Sequence, residues 1–130
     1  MKNLKILLVE DDPLIMSIIG RFFTRLSYAP DYANNVEEAL LHVAKNHYDL
    51  ILTDIGLPDG DGMTIAREVR LLEKHSDKAP VYICAATAFS LKDVRDACFR
   101  AGINDVISKP VSVEFLQHLV FKAQAAAESV

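Results

Sequence analysis

Carboxylates, one hydroxyl group and one ammonium group follow the short apolar segments of this 130-residue chain. Each stands at or directly after the end of such a segment: Glu10, Asp11, Asp12, Asp54, Thr87 and Lys109. Two carboxylates held about 4 Å apart repel by roughly 4 kcal/mol at an effective dielectric constant near 20. A fold that gathers them needs a compensating cation, and oxygen ligands without nearby histidine or cysteine favour a hard ion such as Mg²⁺. The residue types thus predict a magnesium site, provided that the fold brings the segment ends together.

Five apolar runs predict the strands that would carry these groups. Runs with so little polar alternation are typical of strands buried on both faces, as in a parallel sheet. The predicted strands cover residues 5–9, 28–33, 50–53, 81–85 and 105–108. Because Pro30 lacks a backbone donor, we expect the second run to form an edge strand.

Apolar residues at spacings of three and four between these runs predict five amphipathic helices. Their expected starts are capping residues or turns: Asp12 followed by Pro13, Asn35, residues 60–62, Ser90 and Ser112. Gly102 is expected to end the fourth helix. Strands that alternate with helices form βαβ units. The chain is therefore predicted to adopt an α/β fold, a doubly wound parallel sheet of five strands with helices on both faces.

A parallel sheet of this kind would gather the polar segment ends at one edge. Ligands of open α/β sheets bind outside the carboxyl ends of the strands, which is where Asp11, Asp54 and Lys109 would lie. The alternative is that the acids only cap helices or lie in solvated turns. That alternative stays open for Asp12, whereas the combination of the other three residues at one edge favours a binding site.

Length and composition predict a single domain over residues 1–130, with a core of about 4–124 and no output domain. The 14 Lys and Arg against 18 Asp and Glu give a net charge of −4, which argues against general binding to nucleic acid or to an anionic membrane. No apolar run approaches the roughly 18 residues that span a bilayer, and the N-terminus does not resemble a signal peptide. Cys84 and Cys98 are too few for a disulfide framework and are expected to be reduced thiols of a cytoplasmic protein.

Four motifs in register resemble those of the response-regulator receiver domain family. They are Leu-Leu-Val-Glu-Asp-Asp at residues 7–12, Leu-Thr-Asp-Ile-Gly-Leu-Pro-Asp-Gly-Asp-Gly at 52–62, Ala-Thr-Ala at 86–88 and Ser-Lys-Pro at 108–110. Their order and spacing match the family along almost the whole chain. The resemblance implies a flavodoxin-like (βα)5 fold with strand order 2-1-3-4-5, as in the chemotaxis regulator. It also implies a cis peptide bond between Lys109 and Pro110.

The resemblance further implies a magnesium-dependent phosphoryl transfer to Asp54. The donor would be the phosphohistidine of a histidine kinase or of a histidine phosphotransfer protein. Mg²⁺, with Mn²⁺ as a substitute, would be bound by Asp11, Asp54 and the backbone carbonyl of Gly56, and by Glu10 through water. The residue chemistry agrees, because a carboxylate attacks phosphorus when its charge is screened and the transfer depends on positioning and neutralisation.

Contacts to the phosphoryl group would come from the Thr87 hydroxyl, the backbone N–H of Ala88 and the Lys109 ammonium. In the family, an aromatic residue three positions before the lysine turns inward. Here that residue is Val106, which has no ring. Either the region shifts without an aromatic residue or Phe89 reports the state, and the sequence leaves both open. Phe89 is also expected to shield the phosphoryl group, so that Phe89→Ala would hasten its loss.

The function implied by the resemblance is a signalling switch of a two-component system, in which phosphorylation changes a partner surface. The chain would act as an enzyme only in phosphorylating and dephosphorylating its own Asp54. Its partners would be a histidine kinase or phosphotransfer protein and an unknown downstream protein, without direct contact to nucleic acid. We expect a monomer, or a weak dimer through the face of the fourth helix, fifth strand and fifth helix. A stand-alone regulator and a receiver of a hybrid histidine kinase or longer regulator both stay open.

Two rival functions are weighed against the switch. Phosphatases of the haloacid dehalogenase type have a second aspartate two residues after the nucleophile. This chain has Gly56 at that position, and glycine cannot transfer a proton. An inactive receiver, acting as a phosphorylation-independent interaction module, would not need Asp11, Asp54, Thr87 and Lys109, all of which are present. If the acids repel one another, Mg²⁺ and the Asp54→Asn substitution should each raise the melting temperature.

Two further patterns are expected to be structural. The four histidines lack metal-site spacing and are expected to be solvated surface residues: His42, His47, His75 and His118. Residues 59–62 lack the third acidic position and distant glutamate of a calcium loop, so they are interpreted as a turn into the third helix.

Overall fold

The predicted alternation of strands and helices is present in the computed structural model, which describes residues 3–88 and 90–128. The strands are β1 (Ile6–Val9), β2 (Asp31–Ala33), β3 (Leu50–Asp54), β4 (Tyr82–Thr87) and β5 (Asp105–Ser108). The helices are α1 (Pro13–Arg25), α2 (Val36–Lys45), α3 (Gly62–Glu73), α4 (Leu91–Ala101) and α5 (Val113–Glu128). Between β3 and α3, Gly56–Leu57 pairs with Gly60–Asp61 in a short antiparallel hairpin, which we call the 56–61 hairpin.

The five strands form one parallel sheet in the order β2-β1-β3-β4-β5. The predicted fold class and strand order are therefore confirmed. β2 lies at the edge of the sheet, as Pro30 indicated. Because all five strands run in the same direction, their carboxyl ends lie along one edge of the sheet.

Each face of the sheet carries its own hydrophobic core. Because successive residues of a strand point to opposite faces, Leu7 and Val9 pack with α2, α3 and α4, whereas Ile6 and Leu8 pack with α1 and α5. Complete burial of one such side chain contributes about 1.5–3 kcal/mol relative to exposure. The sheet is thus held between two layers of helices and offers rigid positions at its strand ends. Among the described helices, none combines the length and apolarity required to cross a membrane.

Most helix ends follow the predicted capping residues. The Asp12 carboxylate accepts hydrogen bonds from the first turn of α1, and the Asn35 amide oxygen accepts one from Glu38 N at 2.8 Å. Ser90 precedes α4 as expected, but within the described residues its side chain makes no capping hydrogen bond. At the other end of α4, Gly102 adopts a φ of 101°, and its carbonyl accepts hydrogen bonds from Arg70 Nε and Nη2 at 2.9 and 2.7 Å. The C-terminal end of α4 is thus tied to α3.

Two strand boundaries differ from the prediction by more than one residue, the start of β2 and the end of β4. β2 begins at Asp31 and not at residue 28, because Tyr28 N donates to Phe23 O at 2.9 Å and so completes the turn that ends α1. β4 continues to Thr87, beyond the predicted end at residue 85, because β5 pairs with it as far as Ser108. Thr87 therefore belongs to the sheet and not to the loop that follows it.

Candidate functional site

The carboxyl ends of three strands bring Glu10, Asp54 and Lys109 into direct contact. Lys109 Nζ donates to Glu10 Oε1 at 2.9 Å and to Asp54 Oδ2 at 2.7 Å. One carboxylate oxygen from each of Glu10, Asp11 and Asp54 lies within 4.8 Å of the others. We call these three residues the acidic cluster. The parallel sheet thus joins groups from the ends of β1 and β3 with the lysine that follows β5.

The acidic cluster is partly shielded from water. The Glu10 side chain keeps 3% of its exposure, Asp54 12% and Lys109 18%, whereas Asp11 is exposed. Burial raises the pKa of Glu10 above its ordinary value, although hydrogen bonds from Asp12 N and Lys109 oppose this shift. Burial alone would lower the pKa of Lys109, but its hydrogen bonds to Asp54 and Glu10 outweigh that effect and raise it. Lys109 is therefore held as a cation.

The position of Lys109 modifies the charge argument made from sequence. There the compensating cation was expected to be a metal ion, whereas the ammonium of Lys109 already bridges two of the three carboxylates. Three carboxylates and one ammonium still leave an excess of negative charge. The donors are all oxygen atoms, which suits Mg²⁺. The acidic cluster therefore fits a hard divalent ion even with the lysine in place.

The structure places the other predicted site residues at the end of β4, in the loop that follows it and in the 56–61 hairpin. Thr87 is buried at the end of β4, and its carbonyl oxygen accepts a hydrogen bond from Lys109 N at 2.9 Å. Ala88 and Gly56 are both exposed, in the loop after β4 and in the 56–61 hairpin. The peptide bond between Lys109 and Pro110 is cis, as the resemblance implied. Phe89, for which a shielding role was expected, lies outside the described residues.

Two residues that support the site were missed by the sequence reasoning. A Cβ atom on Gly62 would lie 2.6 Å from the carbonyl oxygen of Asp54, so α3 can begin directly against β3 only with glycine there. Both carboxylate oxygens of Asp59 accept hydrogen bonds from the first turn of α2, from Val36 N at 2.8 Å and Glu37 N at 3.0 Å. These bonds lower the pKa of Asp59. An Asp-Gly pair signals a turn, but it does not reveal this distant contact.

Two of the four histidines are less exposed to solvent than expected. His42 Nδ1 lies 3.2 Å from the Tyr48 hydroxyl, and His47 Nε2 lies 2.9 Å from Ala79 O. Both side chains are half-buried, whereas His75 and His118 are exposed. His47 precedes β3 in the chain, so it lies at the opposite end of that strand from Asp54.

Comparison with known sequences identifies the family. The sequence model of the response regulator receiver domain matches residues 6–121, which include every residue of the acidic cluster and Lys109. The chain belongs to the response regulator receiver domain family. Receiver domains are signalling modules of two-component systems, and the fold and acidic cluster described above are those of this receiver domain.

The relatives of this receiver domain include kinases and regulators. The aerobic respiration control sensor protein ArcB of Escherichia coli K12 is 37% identical over 119 residues, a match that covers 92% of this chain and 15% of ArcB. The chain thus spans a small part of that protein. The receiver domain of sensor histidine kinase PA1611 from Pseudomonas aeruginosa PAO1, solved with a magnesium ion in its active site cleft, has a TM-score of 0.82 and 32% identity over 95% of this chain and 99% of its own.

A third similar structure contains a phosphotransfer partner. It is the complex of the Saccharomyces cerevisiae histidine phosphotransfer protein Ypd1 with the receiver domain of the response regulator Ssk1. Its similarity to this receiver domain has a TM-score of 0.86, with 29% identity over 98% of this chain and 93% of that chain.

Proposed function

We propose that this receiver domain is a phospho-accepting switch, in which Asp54 takes a phosphoryl group from the phosphohistidine of a histidine kinase or histidine phosphotransfer protein. The observation that carries the proposal is the contact of 2.7 Å between Asp54 Oδ2 and Lys109 Nζ inside the acidic cluster. An ammonium beside the acceptor carboxylate is the group needed to hold the charge of an incoming phosphoryl group. The Ypd1 complex of a similar receiver domain supports this kind of partner.

A magnesium ion would be bound on the exposed side of the acidic cluster. Asp11 and Asp54 would ligate it directly, the Gly56 carbonyl would be a third protein ligand and Glu10 would act through water. When bound, Mg²⁺ supplies positive charge that offsets the carboxylates and the incoming phosphoryl group, and Mn²⁺ can substitute for it. The proposal is supported by the oxygen atoms that lie within 4.8 Å of one another and by the magnesium ion of the similar PA1611 receiver domain.

The residues of the chain would share the transfer as follows. A carboxylate oxygen of Asp54 forms a bond to phosphorus while the bond to the donor histidine breaks, and the imidazole nitrogen keeps that electron pair. Lys109 Nζ then donates its hydrogen bond to a phosphoryl oxygen and no longer to the Asp54 oxygen. The Thr87 hydroxyl and the Ala88 N–H donate to the other two phosphoryl oxygens. Water later attacks phosphorus, the bond from phosphorus to the Asp54 oxygen breaks, and inorganic phosphate leaves with the two protons of the water, which restores the Asp54 carboxylate. The domain would thus catalyse only its own phosphorylation and dephosphorylation.

The signal would arise from the new charge at Asp54. A phosphoryl group adds a charge of about −1.5 to −2 and three acceptor oxygens, so the segment after Thr87 would shift toward it and change the partner surface on α4, β5 and α5. Val106 is buried in the core beside α4, so we propose that this shift proceeds without an aromatic residue at that position. We further propose that residues 4–124 form the core of one cytoplasmic receiver domain and that any dimer is weak and uses this same surface.

Phosphorylation by acetyl phosphate tests the proposal directly. The protein is incubated with acetyl phosphate and Mg²⁺, and its intact mass is measured. We expect one phosphoryl adduct on the wild-type protein, none on Asp54→Asn and none when EDTA replaces Mg²⁺. Asp12→Asn is the matched control, because Asp12 is a neighbouring acid outside the acidic cluster whose carboxylate caps α1.

Two results would contradict the proposal. An adduct that persists on Asp54→Asn would place the acceptor elsewhere. No adduct on the wild-type protein, with acetyl phosphate or with a phosphorylated histidine phosphotransfer protein as donor, would instead favour a phosphorylation-independent interaction module.

A further inference from the structure

The proposed magnesium site draws one of its ligands from outside the sheet. Asp54 is part of β3, and Glu10 N donates to Ala33 O at 3.0 Å, so these two carboxylates are carried by the main sheet, and Asp11 directly follows Glu10 in the chain. The Gly56 carbonyl belongs to the 56–61 hairpin, which pairs only Gly56 with Asp61 and Leu57 with Gly60. A hairpin this short is not stable by itself. Other contacts must therefore fix the position of the Gly56 carbonyl.

The base of the 56–61 hairpin is tied to the sheet and to α3. Ile55 N donates to Ala86 O at 3.1 Å, and Gly62 N donates to Ile55 O at 2.9 Å. Asp61 then caps α3 by accepting a hydrogen bond from Thr64 N at 3.0 Å. These contacts hold the two ends of the hairpin, and Leu57 packs against the hydrophobic core, whereas its tip at Pro58 and Asp59 lies further from this base.

The tip of the 56–61 hairpin is attached to α2. Each carboxylate oxygen of Asp59 accepts one backbone hydrogen bond, from Val36 N at 2.8 Å and from Glu37 N at 3.0 Å. The neighbouring residue also touches this helix, since a Cβ atom built on Gly60 would lie 3.2 Å from Val36 Cγ2. Negative charge at a helix N-terminus is stabilised by the exposed N–H groups and by the helix dipole. The hairpin therefore spans from β3 to the first turn of α2.

Asp59 is not the ordinary capping residue of α2. That role belongs to Asn35, whose side chain accepts from Glu38 N at 2.8 Å, while the Glu38 carboxylate accepts from Asn34 N at 2.8 Å. Asp59 comes from 23 residues further along the chain than Val36. Its contact is thus a tertiary link between the 56–61 hairpin and α2.

We propose that Asp59 is a positioning residue for the metal ligand of Gly56, because it pins the tip of the 56–61 hairpin to α2. This inference rests on the proposed function, since it needs the Gly56 carbonyl to bind the metal. Asp59 itself does not touch the metal. Without it, the hairpin moves about its base at β3 and the Gly56 carbonyl is no longer held in one fixed position.

Binding of Mn²⁺, measured by electron paramagnetic resonance of the free ion at about 0.15 M salt, tests this role. We expect the dissociation constant of Asp59→Ala to rise about tenfold, the lower end of the losses seen when groups that orient metal ligands are removed. Asp59→Asn loses the same charge but keeps one acceptor oxygen, so we expect a smaller rise. Hydrogen exchange should become faster at the amides of Val36, Glu37 and residues 56–61 in Asp59→Ala.

Asn35→Ala is the matched control, because it removes the ordinary cap of α2 but leaves the Asp59 link in place. Its Mn²⁺ affinity should equal that of the wild-type protein. Equal losses in Asn35→Ala and Asp59→Ala would show that metal affinity follows the stability of α2, and equal losses in Asp59→Ala and Asp59→Asn would show a charge effect. Either result would overturn the role of Asp59, as would wild-type affinity in Asp59→Ala.

Failure of the proposed function has a separate signature. If the wild-type protein does not bind Mn²⁺, or binds it as well after Asp54→Asn, the metal site itself is refuted and the role of Asp59 with it. Normal binding by the wild-type protein together with unchanged binding by Asp59→Ala refutes only the positioning role.

Discussion

Replacement of Lys109 by methionine should destabilise the protein because the ammonium is shared by two carboxylates. At separations of 2.7 and 2.9 Å, each ion pair is worth about 6 kcal/mol at an effective dielectric constant near 20. Desolvation of the groups offsets much of this attraction, and removal of one partner from a buried pair costs about 3–5 kcal/mol. Since Lys109 is 18% exposed, we expect Lys109→Met to lower the free energy of unfolding by about 3 kcal/mol at pH 7 without metal.

Urea unfolding followed by far-UV circular dichroism measures this effect, and it suits a chain without tryptophan. Lys122→Met is the matched control, because Lys122 forms a more exposed pair with Asp105 at 3.6 Å. Loss of such a pair should cost at most about 1 kcal/mol. Added Mg²⁺ should stabilise Lys109→Met more than the wild-type protein, since the ion then neutralises carboxylates that have lost their ammonium.

A lower pH should reduce the difference in the free energy of unfolding between Lys109→Met and the wild-type protein. Burial raises the pKa of Glu10 above its ordinary value of 4.5, and the loss of Lys109 would raise it further. A carboxyl group with a higher pKa in the folded state makes folding less favourable as the pH rises through that pKa. The deficit of Lys109→Met should therefore be largest near pH 7 and shrink toward pH 4.5. Identical urea midpoints at pH 7 in EDTA would refute the charge balance inferred for the acidic cluster.

Three further predictions concern single residues. Asp54→Asn removes a repulsion from Glu10 but also an attraction to Lys109, so the rise in melting temperature expected from repulsion alone should be cancelled, and the melting temperature in EDTA should stay within a few degrees of wild type. A large rise or fall in melting temperature, measured by circular dichroism, would refute this balance. Gly62→Ala should lower the free energy of unfolding in urea by about 1–3 kcal/mol, because the Cβ of the alanine would meet the Asp54 carbonyl. An unchanged free energy of unfolding would contradict that contact. Burial and Asp31 raise the pKa of Tyr48, so the unfolded state ionises first. The free energy of unfolding should fall by about 1 kcal/mol between pH 10 and 11, and it should fall by less in Tyr48→Phe. If urea titrations show equal falls in the two proteins, Tyr48 is excluded as the cause.

Local signals in the sequence are sufficient for most of the fold. Asp12, Asn35 and Gly102 act within one turn of their own positions, so their residue types predict the helix ends. The apolar runs predict a parallel sheet because strands buried on both faces lack polar alternation, and this pattern is visible within each run alone. Prediction was wrong where pairing with a distant strand decides the boundary, as when Thr87 pairs with Ser108 and extends β4 beyond its apolar run.

The groups of the site are predictable from sequence, but their arrangement is not. Lys109 is separated by 55 residues from Asp54 and by 99 from Glu10. Their types and strand-end positions place them at one edge of the sheet, but cannot tell whether the ammonium lies beside the carboxylates or between them. The link from Asp59 to Val36 is hidden for a similar reason, since the local signal for the start of α2 is Asn35.

Side-chain hydrogen bonds attach the two ends of α4 unequally. Its Gly102 end accepts hydrogen bonds from two guanidinium nitrogens of Arg70. Within the described residues no side-chain hydrogen bond caps its Ser90 end, which lies close in the chain to Thr87 and is held by the packing of Leu91 and Val94 against the core. A helix of 11 residues is about 16 Å long, so a rotation of about 10° around the tethered end moves the other end by about 3 Å. Under the proposed function, a pull on the segment after Thr87 would thus displace the Ser90 end of α4, while its Gly102 end stays fixed to α3.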